Sequence, residues 1–407
     1  MVSRRVEGGP MLSKRSFDTA KLVVLAVLLC AFVVYRTEGT GAQLKENSAA
    51  AGFPHFDRVL LLEQTSETTG GISVGDLNGD GYLDIVLAKG RHWPLVDRVL
   101  FNNGKGQFPV AHDLGSVSDR SYSAPLADLN GDGFLDIVIS NDAPDPKLVY
   151  LNDGKGNFHV GSTYGRPDWE MRNAAIADLN GDGLPDIVVA NRTGDKPGAN
   201  YVCLNRGKGK FDSDCILFSH ESATTITAAD FNKDGFIDLA VPHREGGQSY
   251  IYLNDGKANF SKRIPFGPPD VAIRMAEAAD FDGDGRLDIV AIDERRGTFI
   301  FFGQPGGTFS SGVPLGKGKI VPYALAVGDL NRDGKVDIVV GNIGAPSTVY
   351  FNDGSGRSFT PVQFGDGKGD VYGFAIVDLD KDGWPDIAVA RSEAPNVVYF
   401  SSGQVRN

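Results

Sequence analysis

The sequence predicts an all-β chain, a seven-bladed β-propeller of four-stranded blades, on three observations. An aspartate-rich nonapeptide recurs seven times, beginning at Asp76, Asp128, Asp178, Asp230, Asp280, Asp329 and Asp378. The intervals are 52, 50, 52, 50, 49 and 49 residues, the length of one four-stranded blade. A second motif, an apolar stretch and a Gly-rich turn, follows each loop: Val99 to Phe108, Val149 to Phe158, Val202 to Phe211 and Ile251 to Phe260, with looser copies from Ile300 and Val349 and a truncated one from Val398. Glycine, 52 of 407 residues, is about twice its ordinary share, as many tight turns between short strands require. Length alone, at ~150 residues per domain, suggests two or three domains, and the repeat overrides it.

In chain order, residues 1–42 stand outside the repeat and read as a signal peptide or membrane anchor. Arg4, Arg5, Lys14, Arg15 and Lys21 precede an unbroken apolar run from Leu22 to Tyr35, and small residues follow at Thr40, Gly41 and Ala42. At 1.5 Å per residue the run spans roughly 21 Å, short of a ~30 Å hydrocarbon core, which suits a signal h-region better than a membrane span. Residues 43–51 read as a linker, and the propeller occupies 52–407. The expected location is secreted, periplasmic or cell-surface, with membrane attachment only through an uncleaved anchor. Cysteine usage agrees. Cys30 lies in the apolar run, leaving Cys203 and Cys215 on either side of a Gly-rich turn from Asn205 to Gly209. Strands joined by that turn could bring them together as a disulfide in an oxidising compartment; the alternative is two buried thiols.

Within each unit a first strand enters the Asp loop and a second leaves it as an apolar run such as Ile85-Val86-Leu87. Continuous apolar runs imply strands covered on both faces. The third strand carries the Val-Tyr-Leu-Asn type of sequence, and a fourth begins at the phenylalanine after the Gly-rich turn. The last unit ends without a fourth strand, whereas Phe53 to Leu62 resembles one ahead of the first loop. The N-terminal segment is therefore expected to complete the last blade and close the ring, removing exposed edges.

Seven loops in register with Asn-Asp-Gly-Lys-Gly hairpins resemble the FG-GAP/VCBS-repeat propellers, whose best-known relative is the integrin α-subunit head. The resemblance covers about residues 52–407 and implies the fold, calcium and an exported location. Its members include adhesion domains, lectins and enzymes, so it implies no single activity.

The loops themselves read as metal sites. Positions 1, 3, 5 and 9 offer side-chain oxygens, and position 7, which varies in type, offers its backbone carbonyl. The ligand sets are Asp76, Asn78, Asp80, Tyr82 and Asp84; Asp128, Asn130, Asp132, Phe134 and Asp136; Asp178, Asn180, Asp182, Leu184 and Asp186; Asp230, Asn232, Asp234, Phe236 and Asp238. The remaining three are Asp280, Asp282, Asp284, Arg286 and Asp288; Asp329, Asn331, Asp333, Lys335 and Asp337; and Asp378, Asp380, Asp382, Trp384 and Asp386. Position 6 is always Gly, where oxygen ligands on a short segment need a sharp turn. All-oxygen ligands on a flexible loop select Ca²⁺, at about seven sites. Position 12, Glu in an EF-hand, is apolar throughout, from Leu87 to Val389, which excludes that motif. The competing reading is an Asp/Asn turn held by its own hydrogen bonds. Acidic residues outnumber basic ones 52 to 40, with a pI near 5.0 and no basic stripe, so a nucleic-acid partner is excluded. Much of the acidity belongs to the loops.

Because the repeats are otherwise alike, their differences on the face opposite the loops are informative. Six residues before each loop stand Gly70, Tyr122, Arg172, Thr224, Arg274, Tyr323 and Tyr372. Five residues after position 9 stand Lys89, Asn141, Asn191, His243, Asp293, Asn342 and Arg391. Both sets are expected to ring the axial mouth, with Glu277 on an innermost strand below and Arg91-His92-Trp93 and Arg244-Glu245 nearby. Such a mouth suits a sugar or an anionic, hydroxyl-rich ligand, with Tyr122, Arg172, Arg274, Glu277, Tyr323, Tyr372, His243, Asp293 and Arg391 as contacts. The leading expectation is a non-enzymatic recognition module for a glycan or an extracellular or periplasmic protein. The alternatives are a carbohydrate-active lyase or dehydratase, in which His243 with Asp293 or Glu277 would do acid–base work, and a scaffold without a small ligand. The Gly-x-Ser-x-Gly match at Gly71–Gly75 runs into a calcium loop rather than a strand–turn–helix elbow and reads as chance.

Overall fold

The computed structural model describes residues 52–403 apart from 195, 197 and 317–319. The expected signal segment 1–42 and linker 43–51 lie outside the described residues. Seven antiparallel sheets follow one another along the chain, as the repeat predicts. The first blade comprises Thr69–Gly75, Asp84–Lys89, Arg98–Phe101 and Val110–Asp113. The next five repeat this order. In the second, the innermost strand is divided into Ser121–Ser123 and Leu126–Ala127, because Pro125 between them has no N–H to give the ladder. In the seventh, Asp370–Val377, Asp386–Ser392 and Val397–Phe400 are joined by Arg58–Leu61 from the chain's beginning. The two pair antiparallel, Arg58 opposite Phe400 and Leu61 opposite Val397, so the ring closes as expected.

The second strands explain the unbroken apolar runs. Every residue from Asp84 to Lys89 is buried, and likewise in Asp136–Asn141, Asp186–Asn191, Asp288–Asp293 and Asp337–Asn342. Alternate side chains point to opposite faces of a strand, so each run feeds two cores. Val86 and Ala88 pack with Ile137 and Ile139 of the second blade, while Ile85 and Leu87 pack with Ala388 and Val398 of the seventh. Seven such clusters, one at each blade–blade interface, make up the hydrophobic core.

Two local features depart from the repeat. Fourth strands begin at the expected phenylalanine only in Phe158–Tyr164 and Phe359–Phe364. Elsewhere they start later, at Val110, Ile216, Lys262 and Val313, although the phenylalanine packs on an inter-blade core in all six copies. The innermost strands also bulge. In six blades the ladder skips the residue six before the loop, Gly70, Tyr122, Arg172, Arg274, Tyr323 or Tyr372, while the short Thr227–Ala229 ladder of the fourth blade runs without a shift. A bulge re-aims the extra side chain, here at the end of the blade opposite the Asp loops.

Candidate functional site

Each Asp loop joins the first and second strands of its blade, and position 1 holds it closed. The position 1 carboxylate accepts the N–H of the position 6 glycine at 2.7–2.9 Å in all seven copies. Those glycines have φ of 78–90°, a conformation costly for any residue with a side chain. Position 9 is buried completely in every copy. It accepts two backbone N–H groups, as Asp84 does from Leu77 at 3.0 Å and from Asn102 of the hairpin at 2.9 Å. Burial pushes these carboxyls up, to about 6 for Asp84, Asp136, Asp186, Asp238 and Asp288 and about 7 for Asp337 and Asp386. A cation within the loop would oppose that shift by favouring the carboxylate.

Two loops gather carboxylates most closely. Asp280, Asp282 and Asp288, and likewise Asp378, Asp380 and Asp382, each bring one oxygen within 4.8 Å of the others. These are the two loops with Asp rather than Asn at position 3. Asp282 Oδ1 and Asp378 Oδ1 are buried without a hydrogen-bond partner, so each of these loops offers an acceptor that a cation would satisfy. The donor set, oxygen only and rich in carboxylate, fits a hard cation such as Ca²⁺. In the other five loops the position 3 amide bonds position 5: Asn78 Nδ2 donates to Asp80 Oδ2 at 3.0 Å, and Asn78 Oδ1 accepts the Asp80 N–H. Those loops have the hydrogen-bonded turn geometry that competes with the metal reading. The position 7 N–H donates to position 5, as from Tyr82 to Asp80, and several position 7 side chains cover the hairpin glycine of their own blade. A Cβ at Gly104 or Gly154 would meet the ring of Tyr82 or Phe134 within 2.5 Å.

At the opposite end a cavity of 190 Å³ opens on the axis, and all seven residues six before the loops line it: Gly70, Tyr122, Arg172, Thr224, Arg274, Tyr323 and Tyr372. Three of these tyrosines stack under guanidinium groups. Arg274 lies 3.2 Å over Tyr323, Arg91 lies 3.9 Å over Tyr372 and Arg172 lies 4.6 Å over Tyr122. Tyr372 Oη donates to Tyr323 Oη at 3.1 Å, and burial pushes the Tyr372 phenol up. Arg274 is 7% exposed and is pushed down to about 10 by burial. His92, beside Tyr122 Oη at 3.4 Å, is pushed down by burial and by Arg91 and Arg172. Below the mouth a channel of 360 Å³ shares Tyr122, Asn173, Met275 and Tyr372 with it and contains Glu277, whose carboxyl burial raises to about 7.

The second expected ring does not line the mouth. His243 packs its ring against Gly247, and its backbone N–H donates to Ser249. Asp293 accepts the N–H groups of Arg295 and Arg296, and Arg391 is buried against Asp366 and the Pro395 carbonyl. Asn141, Asn191 and Asn342 donate to the carbonyls of Pro146, Ala199 and Pro346 in the same way. These side chains brace the loops between second and third strands. The acid–base pairing of His243 with Asp293 or Glu277 is accordingly not assembled. In the bulged blades the reason is parity: the bulge occurs on the first strand only, and one residue along a strand reverses the face. The residues one place further on are at the mouth, Arg192 and Arg244 lining it and Asp142 and Glu294 paired with lining arginines. Sequence reasoning missed Arg192 and Glu294, whose signal was that one-residue offset, and Thr225, the neighbour of Thr224. Gly71–Gly75 lies within a continuous innermost strand, without the turn a nucleophile needs.

Cys203 and Cys215 form the expected disulfide, closing the outer hairpin of the third blade. Asn191-Arg-Thr193 and Asn259-Phe-Ser261 match the N-glycosylation sequon; Asn259 is exposed and Asn191 is buried.

Known proteins share this architecture. The chain is 29% identical over 244 residues to integrin αV of Gallus gallus, covering 54% of this chain and 19% of that one, so it spans about a fifth of its relative. Among solved structures it superimposes on BBS1N, crystallised in complex with ARL6DN, with a TM-score of 0.60, 11% identity and coverage of 88% of this chain and 99% of that one. It also superimposes on the V. cholerae biofilm matrix protein Bap1, with a TM-score of 0.54, 13% identity and coverage of 86% and 91%. At such identities these two likenesses carry the fold alone. The FG-GAP-like repeat profile matches six overlapping segments, 76–139, 128–189, 178–241, 230–291, 280–340 and 329–389, each running from one Asp loop through the next. With most of its length matched, from the first Asp loop to the strand that leaves the last, the chain belongs to the FG-GAP-like repeat family.

Proposed function

We propose that the chain is an exported, calcium-stabilised propeller that recognises a glycan or an extracellular protein through the mouth opposite its Asp loops. One observation carries this reading. Seven residues of four different types converge on one axial cavity, while the loops on the other face are near copies of one another. Specificity needs difference, and the mouth is where the blades differ. Calcium at about seven loops serves stability: it offsets the mutual repulsion of 23 acidic side chains gathered there. Export rests on residues 1–42 read as a signal and on the Cys203–Cys215 disulfide, which suits an oxidising compartment. The partial likeness to integrin αV accords with an extracellular setting.

The test is a screen of immobilised glycans and extracellular proteins with the purified chain, scored in calcium and in EDTA, then repeated with two variants. His92→Trp narrows the mouth at an exposed position and abolishes binding without changing calcium content. Asp80→Ala removes a first-loop ligand, lowering calcium content and melting temperature while the folded fraction still binds. The opposite pattern would assign function to the calcium face. A lyase reading has one observation in its favour, the contact of His92 with Tyr122 in an arginine-lined pocket. An unsaturated product from acidic polysaccharides, followed by ultraviolet absorbance, would establish it.

A further inference from the structure

We infer that the mouth is an oxyanion site, built for a single acidic sugar residue, carboxylated or sulfated, at the end of a glycan. The inference rests on the recognition reading above and adds the ligand's charge and size.

Five guanidinium groups line the cavity, those of Arg91, Arg172, Arg192, Arg244 and Arg274, and among the described residues no carboxylate does. Three nearby carboxylates answer four of them. Asp142 pairs with Arg172 at 2.6 Å, Glu245 pairs with Arg192 at 2.7 Å, and Glu294 is shared by Arg244 at 2.8 Å and Arg274 at 3.2 Å. Arg91 has a tyrosine ring but, among the described residues, no carboxylate at ion-pair distance; Asp370 feels its charge from further off. Among the described residues the lining guanidinium groups thus outnumber the carboxylates paired with them by two, in a chain whose formal charge is −12. A local charge of the opposite sign, in a concave and largely desolvated setting, focuses an attractive field on anions.

The second observation is independent of charge. Arg91 Nε, Arg244 Nη1, Thr224 Oγ1 and Thr225 Oγ1 are buried without hydrogen-bond partners, and all four belong to residues lining this cavity. Arg244 is only 8% exposed, so bulk water reaches little of it. Guanidinium N–H groups only donate, so the partners that two of these atoms lack are acceptors, and an oxyanion is the strongest. The two threonine hydroxyls both donate and accept, which matches the hydroxyls of a sugar. At about 30 Å³ per water the 190 Å³ cavity has the volume of about six waters, room for one monosaccharide and not for a chain. Any further sugar must leave over the rim. There Trp93, two residues beyond Arg91, is 73% exposed, an apolar ring face on which a second sugar can lie.

The experiment is calorimetric titration of the full chain in calcium with three probes: glucuronate, N-acetylglucosamine 6-sulfate and neutral glucose. Either acid, or both, should bind at least tenfold more tightly than glucose, and more weakly as salt rises; their ratio identifies the preferred oxyanion. Arg244→Gln and Arg91→Gln should each weaken the acid at least tenfold. Among the described residues Arg91 makes no ion pair, so Arg91→Gln should keep the parental melting temperature even if Arg244→Gln does not fold. Glucose binding equal to that of both acids, unchanged affinity in a folded Arg91→Gln, or no binding of either acid would each overturn the inference. Tighter binding of a hexaglutamate peptide than of either acid would overturn the sugar assignment. A neutral glycan that binds and is lost in His92→Trp would sink this inference while leaving the recognition reading intact.

Discussion

The position 9 aspartate has two roles in each loop. It is a candidate cation ligand, and it is also the acceptor that holds the loop to the hairpin behind it. Because burial raises these seven carboxyls to about 6–7, the metal-free folded chain binds protons more tightly than the unfolded one, whose carboxyls titrate near ~3.9. Stability then falls as pH rises through the folded values, since the folded state is the one that must release protons. His92, with its folded value lowered, works the other way, but it is one group against seven. In EDTA the chain should therefore melt at a higher temperature near about pH 5.5 than near about pH 8. In saturating calcium the order should reverse, because protons then compete with the cation for the same oxygens. Scanning calorimetry under both conditions checks this, and a metal-free chain that becomes more stable with rising pH contradicts it. The oxygens of this residue were legible from the Asp spacing alone. Its bonds to Leu77 and Asn102 were not, because a backbone donor leaves no mark on residue type.

At the scale of the element, the hairpin asparagine is the piece whose type was visible and whose purpose was not. Asn152 donates from Nδ2 to the Leu135 carbonyl of its own blade at 3.0 Å and to the Leu77 carbonyl of the preceding blade at 2.8 Å. Asn102, Asn205, Asn254 and Asn352 reach back in the same way to Leu379, Leu129, Leu179 and Phe281. Each also gives its backbone N–H to position 9. Loop, hairpin and neighbouring loop are thereby linked blade to blade, with breaks where the residue is Gly303 or Ser401. At Gly303 the break is steric, since a Cβ there would lie 2.5 Å from the Leu287 carbonyl oxygen. Replacing Asn152 with Ala leaves two buried carbonyls without their donor and should cost about 1–3 kcal/mol. Ser401→Ala, which breaks no such link, should cost less. Urea unfolding of the two variants measures the difference. The same scale explains the error at the mouth. A period-two count along the second strand takes no account of a bulge on the first, so Asn191, Asp293 and Arg391 were placed at the mouth where the next residue, such as Arg192, lines it.

For the whole molecule the decisive question is closure, because a propeller with an open seam exposes two sheet edges and an apolar interface. The seam is made by Arg58–Leu61 on Val397–Phe400, the one place where a blade takes strands from both ends of the chain. Around it Phe53 stacks on Phe351 at 4.8 Å, Phe56 meets Phe364 at 5.5 Å, and Arg58 lies 3.7 Å over Phe400 while pairing with Asp380 of the seventh loop. The clasp ends in a buried polar knot. Glu63 pairs with Lys89 of the first blade and accepts from Asn396 Nδ2 of the seventh at 2.7 Å. Lys89 is 1% exposed, and its other carboxylate, Glu67 at 2.8 Å, is partly in water. Removing one partner of a buried ion pair leaves an uncompensated charge, at a cost of about 3–5 kcal/mol. Glu63→Ala should fall at the lower end of that range, because Glu67 remains. Since Glu63 joins the first and last blades, the loss should appear as cooperative unfolding of the entire ring rather than fraying of the N-terminal strand. Hydrogen exchange distinguishes the two outcomes. Protection should drop together in the first, fourth and seventh blades of Glu63→Ala. A drop confined to the backbone of residues 56–63 would mean that the ring holds without its clasp.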